Sequence, residues 1–254
     1  MKTILITGAS SGIGRACVEK LASTETMLIL CSRNIEKLQD IKSGLEEKGI
    51  DVLIYKVDVQ QRDSVEVIFD DLEKRNLKID ILINSAGLAL DLASIESGNP
   101  EDWDTMIDTN IKGLLYVTKM VVGQMIENNS GHIVNIGSIA GVYAYPRGVV
   151  YAATKSAVKF ISDGLRKELV DKNIKVTNVQ PGLVETNFSS VRFYGDQEKA
   201  KNVYRGIKPL TAEDIADIVS YTVNTPQHVQ ICEVTVTPLH QAAVDVIHRM
   251  SDSQ

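Results

Sequence analysis

Ile4-Leu5-Ile6-Thr7-Gly8-Ala9-Ser10-Ser11-Gly12-Ile13-Gly14 runs from a short apolar stretch into a glycine turn, and Arg15-Ala16-Cys17-Val18-Glu19-Lys20-Leu21 continues it with a helical pattern. Strand, glycine turn and helix in that order carry a physical meaning. Glycines let the chain turn sharply and bring bare backbone N–H groups to the positive end of a helix dipole, where a pyrophosphate can be held. The spacing is G-x-x-x-G-x-G, and the turn alone is equally compatible with a tight bend that binds nothing. Its surroundings decide between the two.

Working outward, six further β-rich runs follow: Met27 to Cys31, Val52 to Val57, Ile79 to Ile83, His132 to Ile136, Ile174 to Val179, and one around Ile231 to Val236. Between them, Ile35, Leu38, Ile41 and Leu45, then Val65, Ile68, Phe69 and Leu72, recur at helical spacing with charges on the opposite face. Strands that are apolar without alternation are covered on both faces by helices, as in parallel sheets. The expected fold is α/β: a single doubly wound Rossmann domain over residues 1–254, with a seven-stranded parallel sheet and helices on both faces. The polar stretch at residues 185–208 is expected to form a substrate lid.

Composition narrows the function. The chain has 254 residues, 44% hydrophobic and 24% charged, which are globular proportions. Its formal net charge of −6 is the wrong sign for holding nucleic acid or a membrane surface by bulk electrostatics. The cysteines Cys17, Cys31 and Cys232 lack metal-ligand spacing and each lies in an apolar stretch, so inert core thiols in a reducing compartment are expected. The four histidines have no ligand partners at metal spacing, and Trp103 reads as a packing anchor. With no signal segment and no apolar run approaching eighteen residues, a cytoplasmic location and no metal are expected.

The end of the second strand reads Leu30-Cys31-Ser32-Arg33-Asn34. A carboxylate at that corner would accept from the adenosine ribose hydroxyls and repel a 2′-phosphate, whereas Ser32 and Arg33 are suited to pair with one. NADP is favoured over NAD as cofactor. Tyr151-Ala152-Ala153-Thr154-Lys155 sets a phenol and an ammonium one helical turn apart, with Ser138 thirteen residues upstream. A phenol of ordinary pKa about 10 is a weak catalyst near neutrality, and a nearby cation such as Lys155 favours its phenolate. Tyr-x-x-x-Lys by itself is also a common surface pair.

Together these residues resemble the classical short-chain dehydrogenase/reductase family over the whole chain. Gly8, Ser10, Ser11, Gly12, Ile13 and Gly14 resemble its cofactor turn, Asp58 and Val59 its adenine-contacting pair, and Asn84-Ser85-Ala86-Gly87 its Asn-Asn-Ala-Gly, with Ser85 as a departure. Pro181, Gly182, Val184 and Thr186 resemble the segment along the nicotinamide, and Asn110, Ser138, Tyr151 and Lys155 the catalytic tetrad. The resemblance implies Tyr151 as acid and base, Lys155 lowering its pKa and holding the nicotinamide ribose, Ser138 orienting the reacting oxygen, and Asn110 fixing a relay water. It also implies a homotetramer built on the helices at residues 100–128 and 150–171.

A narrower likeness lies at residues 86–90, 101–110 and 182–193, which resemble NADP-dependent 3-hydroxy acid dehydrogenases, also described as serine 3-dehydrogenases or malonic semialdehyde reductases. Asp91 stands where that pattern has glycine, and Arg147 where it has a small residue. The implied activity is hydride transfer between NADP and a 3-hydroxy or 3-oxo acid. The alternatives are a reductase of 3-oxoacyl thioesters or other carbonyls, and a non-catalytic NADP(H)-binding regulator. A substrate carboxylate in a mostly apolar pocket needs a fixed donor, for which Arg192 in the lid is preferred to Arg147.

Overall fold

The computed structural model describes residues 1–250, and the last four residues of the expected 1–254 domain lie outside the described residues. The strands are β1 (Lys2–Thr7), β2 (Thr26–Ser32), β3 (Asp51–Lys56), β4 (Ile81–Asn84), β5 (Gly131–Ile136), β6 (Ile174–Pro181) and β7 (Glu233–Val236). They form one sheet in the order β3-β2-β1-β4-β5-β6-β7, every pairing parallel.

Each parallel pairing needs a crossover, and the helical segments supply them: α1 (Gly12–Leu21), α2 (Ile35–Glu46), α3 (Arg62–Lys74), α4 (Pro100–Ile107), α5 (Leu114–Glu127), α6 (Val149–Glu168), α7 (Phe188–Arg192), α8 (Gln197–Asn202) and α9 (Ala212–Val223). Alternate side chains of the same strand feed two cores. Ile4, Ile6, Leu28 and Leu30 pack with Cys17 and Val18 of α1, Leu38 of α2 and Ile215 and Val219 of α9. Leu5, Ile29, Leu82 and Ile133 pack on the other face with Val65 and Phe69 of α3 and Val117 and Val121 of α5. This two-sided burial is why the strands read as continuous apolar runs.

Three expectations are corrected. Residues 100–128 are not one regular helix, because a π-helical segment, Asp108–Gly113, separates α4 from α5. Strand β6 continues to Pro181, beyond the end of its apolar run, because Gln180 is buried within the sheet despite its polarity. Cys17 and Cys31 are buried, with thiols pushed up to about 12 by burial, but Cys232 is exposed. It directly precedes β7, one of the two edge strands, whose residues alternate between exposed and half-buried, and its carbonyl accepts from Asn178 N and Arg166 Nη2. Among the described residues, no helix is long and apolar enough to cross a membrane.

His132 on β5 is 4% exposed, and its Nε2 lies 2.8 Å from Thr177 Oγ1. Because that hydroxyl already donates to Ile231 O at 2.7 Å, Nε2 must carry the proton and Nδ1 stays a bare, unpartnered acceptor. Burial, helped by Lys175 and Lys2, lowers its pKa to about 3, so the folded chain holds a neutral imidazole. The unfolded chain then binds the extra proton between its ordinary pKa near 6.5 and about 3. This contribution to stability is complete above pH 6.5 and is lost as pH falls through that window, by up to about 1.4 kcal/mol per pH unit. His132→Gln is expected to lose less urea stability than the wild type between pH 7 and pH 4.5. Equal losses would place the acid sensitivity elsewhere.

Candidate active site

The chain leaves β1 toward β2 on one side and reaches β4 on the other, so the loops after β1 and β4 diverge and open a cleft at the carboxyl ends of the strands. Thr7 Oγ1 pins this split from within, accepting from both Ser85 N and Ala86 N at 3.1 Å. The glycines next to it are sterically required. Gly8 has φ +66°, and a Cβ there would lie 2.9 Å from Ala86 N; a Cβ on Gly14 would lie 2.3 Å from Gly8 O. Helix α1 starts behind this turn with no side-chain cap and no acid in its first turn, so its leading N–H groups face the cleft unneutralised.

The cavity has a volume of about 380 Å³. Of the proposed cofactor residues, Gly8, Ser10, Ser11, Gly12, Ile13, Ser32, Arg33, Asp58, Val59, Ala86, Gly87, Tyr151, Lys155, Pro181, Gly182, Val184 and Thr186 line it. Gly14 and Asn84 do not. Gly14 sits beneath the turn, and Asn84 is a buried crosslink whose Nδ2 donates to Thr118 Oγ1 at 3.0 Å and Asn135 Oδ1 at 2.9 Å. At the far end Ser32 bonds the backbone of Asn34, Asn34 caps α2 by accepting from Lys37 N, and the Arg33 side chain is exposed at the cavity wall. Arg15 pairs with Glu19 at 2.7 Å and does not line the cavity.

Ser138 lies on the loop after β5, and Tyr151 and Lys155 lie one turn apart near the start of α6; all three line the same cavity. Burial pushes the Tyr151 phenol up to about 12, opposed by the Arg192 cation and a Ser138 hydrogen bond. The sequence reading gave the pKa-lowering role to Lys155. In the structure its Nζ instead donates to Ile136 O at 2.8 Å, and burial brings it down to about 8. Asn110, within the π-helical segment, is 1% exposed and fully engaged: its Oδ1 accepts from Leu88 N, and its Nδ2 donates to Leu88 O and Thr154 Oγ1. Its side chain ties the loop after β4 to α6 and does not line the cavity.

The two arginines part company. Arg192 lines the main cavity, with its guanidinium carbon 5.1 Å from the ring centroids of both Tyr151 and Phe188. Its Nε is buried without a hydrogen-bond partner, Nη2 reaches Tyr145 Oη only at 3.5 Å, and no carboxylate pairs with it among the described residues. Arg147 lies instead beside a separate small pocket with Asp91, Asp102 and Trp103. It has φ +66° and Asp91 has φ +53°, the left-handed region that favours glycine, which gives a steric reason for the glycine at position 91 in the resembled pattern.

Residues 185–208 form α7, α8 and their turns. They are tied down by Asp91 N donating to Arg192 O at 2.9 Å and by a hydrogen bond from Tyr194 Oη to Asp102. Phe188, Tyr204 and Gln241 also line the cavity and were not singled out from sequence. Gln241 Oε1 accepts from Leu183 N at 2.8 Å, a contact between residues 58 apart that no local pattern announces. No group of three His, Cys, Asp or Glu side chains is placed to hold a metal among the described residues.

Comparisons with known proteins agree with this geometry. The chain is 42% identical to an NADP-dependent 3-hydroxy acid dehydrogenase of Schizosaccharomyces pombe, over 98% of this chain and 96% of that protein. It is 40% identical to sulfoacetaldehyde reductase 2 of Chromohalobacter salexigens, over 94% of this chain and 95% of that protein. The closed form of a serine dehydrogenase complexed with NADP+ superposes with a TM-score of 0.91 at 40% identity, covering 98% of this chain and 100% of that one. The family model for short chain dehydrogenases matches residues 2–195, and the chain belongs to that family.

Proposed function

We propose that the chain is an NADP-dependent oxidoreductase that moves hydride between the nicotinamide and a 3-hydroxy acid or its 3-oxo counterpart. The observation that carries the substrate class is Arg192: a partly buried guanidinium without a counter-ion, in the same cavity as Tyr151 and Ser138. A buried cation left unpaired is costly, and an anionic substrate would compensate it. This favours a short acid over a 3-oxoacyl thioester, which brings no carboxylate beside its carbonyl. The names of the similar proteins point to the same class, two acting on hydroxy acids and one on an aldehyde that carries a sulfonate.

The residues fit the cofactor. Gly8 and Gly14 keep the turn free of Cβ atoms, α1 offers uncapped N–H groups to a pyrophosphate, and Ser32 and Arg33 stand where a 2′-phosphate would need donors. Bound there, NADP supplies the hydride donor or acceptor. In carbonyl reduction Ser138 holds the substrate oxygen and Tyr151 gives it a proton as the hydride arrives at carbon. In alcohol oxidation Tyr151 takes that proton, so oxidation is expected to rise, and reduction to fall, as pH rises and Tyr151 ionises. In this reading Lys155, which lines the cavity and donates to Ile136 O, also holds the nicotinamide ribose.

The same reading makes residues 185–208 the substrate lid. It also includes a cytoplasmic homotetramer, for which exposed apolar side chains on α5 and α6 (Leu115, Ile126, Phe160) offer contact surface.

Tyr151→Phe is expected to lower kcat by about a hundredfold or more while leaving NADPH affinity nearly unchanged, as read by stopped-flow turnover and fluorescence titration. Near-normal kcat would remove Tyr151 from the proton transfer. Arg33→Asp is expected to weaken NADPH by about tenfold more than NADH, since it replaces a phosphate-pairing cation with a repelling carboxylate. Equal losses would mean that Arg33 does not reach the 2′-phosphate.

A further inference from the structure

Arg192 does more in this cleft than face the substrate. Its guanidinium stands 5.1 Å from the Tyr151 ring centroid and equally far from that of Phe188, whose ring is 5.8 Å from Tyr151. Two aromatic rings flank the cation, and its main chain is fixed by Asp91 N donating to Arg192 O. The group that would take the substrate anion is therefore stacked beside the group that exchanges the proton.

The other polar and charged groups around Tyr151 are few. Ser138 comes from the loop after β5, Tyr145 from the loop before α6, and Lys155 from α6 itself, its ammonium turned to Ile136 O. Asp91, Asp102 and Arg147 share the small neighbouring pocket with Tyr151, and Asp102 is bonded to Tyr194. From the C-terminal segment, the apolar Val244 packs in the cluster around Tyr151 and the uncharged Gln241 lines the same cavity. Arg192 is the cation that opposes the effect of burial on Tyr151.

Resting on Arg192 as the anion site, we propose that Arg192 couples the charge of the substrate to the protonation of Tyr151. An unpaired guanidinium favours the phenolate. Once a carboxylate pairs with it, the phenol feels a near-neutral pair whose field falls off faster than that of a lone charge, and the proton is held more tightly. An acidic substrate thereby loads the proton donor that its own carbonyl needs. A neutral substrate of the same size leaves Arg192 charged and Tyr151 more readily ionised.

The test compares 3-hydroxypropanoate with 3-hydroxypropanamide in NADP+ reduction across pH. The kcat/KM profile reports the enzyme–NADP+ complex and the kcat profile the ternary complex. With the acid, the kcat midpoint is expected about one pH unit above the kcat/KM midpoint; with the amide, the two should coincide. Arg192→Gln is expected to abolish the gap, and Arg192→Lys, which keeps the charge, to restore part of it. Calorimetry in two buffers of different ionisation enthalpy should show proton uptake when propanoate, but not propanamide, binds the enzyme–NADP+ complex near the midpoint. A gap equal for acid and amide, or one that survives in Arg192→Gln, overturns the coupling. Arg192→Gln binding propanoate as tightly as the wild type overturns the anion-site reading beneath it.

Discussion

The cleft depends on one hydroxyl. Thr7, the last residue of β1, accepts from two successive N–H groups after β4, Ser85 and Ala86. Those strands lie side by side, yet their onward connections run in opposite directions, so without the tie the loops would part and Ala86 N would lose its partner. The tie holds Ala86 against Gly8 so closely that a Cβ on Gly8 would not fit, and Gly14 closes against Gly8 O from behind. The turn, the start of α1 and the floor of the cavity are thus one close-packed unit, and the direction of the N–H groups facing a phosphate follows from its geometry.

A second constraint crosses the sheet beneath α6. Asn84, Asn135 and Asn178 stand in register on β4, β5 and β6. Asn84 Nδ2 donates to Asn135 Oδ1 and to Thr118 on α5, and Asn135 Nδ2 donates to Ser162 on α6. A polar network inside an otherwise apolar layer fixes sliding and rotation where hydrophobic packing alone tolerates several arrangements. Here it fixes α6, hence the position of Tyr151 and Lys155 relative to the ends of the strands.

Much of this was legible in the sequence because it is local. Two-sided apolar runs gave the parallel sheet, and the glycine turn, Ser32-Arg33 and Tyr151-x-x-x-Lys155 are read from neighbouring residues. What was missed is non-local or conformational. The π-helical segment within residues 100–128 changes hydrogen-bond register without changing apolar periodicity, and it places Asn110 against Leu88 and Thr154. Gln241 joins the cavity wall from the C-terminal segment, and the exposure of Cys232 follows from β7 being an edge, a property of topology. Asp91 and Arg147 read as chemical departures near the pocket, whereas their left-handed backbones show a steric side to both positions.

The balance around Tyr151 explains why a single cation is insufficient there. Burial around Tyr151 excludes water and raises the phenol, which stands at about 12 even with the Arg192 cation and the Ser138 hydrogen bond opposing that rise. Lys155 cannot reverse this by itself, because its own burial brings it down to about 8 and its ammonium is held by Ile136 O. The opposing charge comes from Arg192 on a different element, α7, with its guanidinium carbon 5.1 Å from the Tyr151 ring centroid. Because a guanidinium keeps its charge under the same desolvation that erodes an ammonium, arginine is the side chain that can work from that position. The Tyr151 phenol is therefore set by α7 as well as by its own helix, because the position of Arg192 on that segment bears directly on its charge balance.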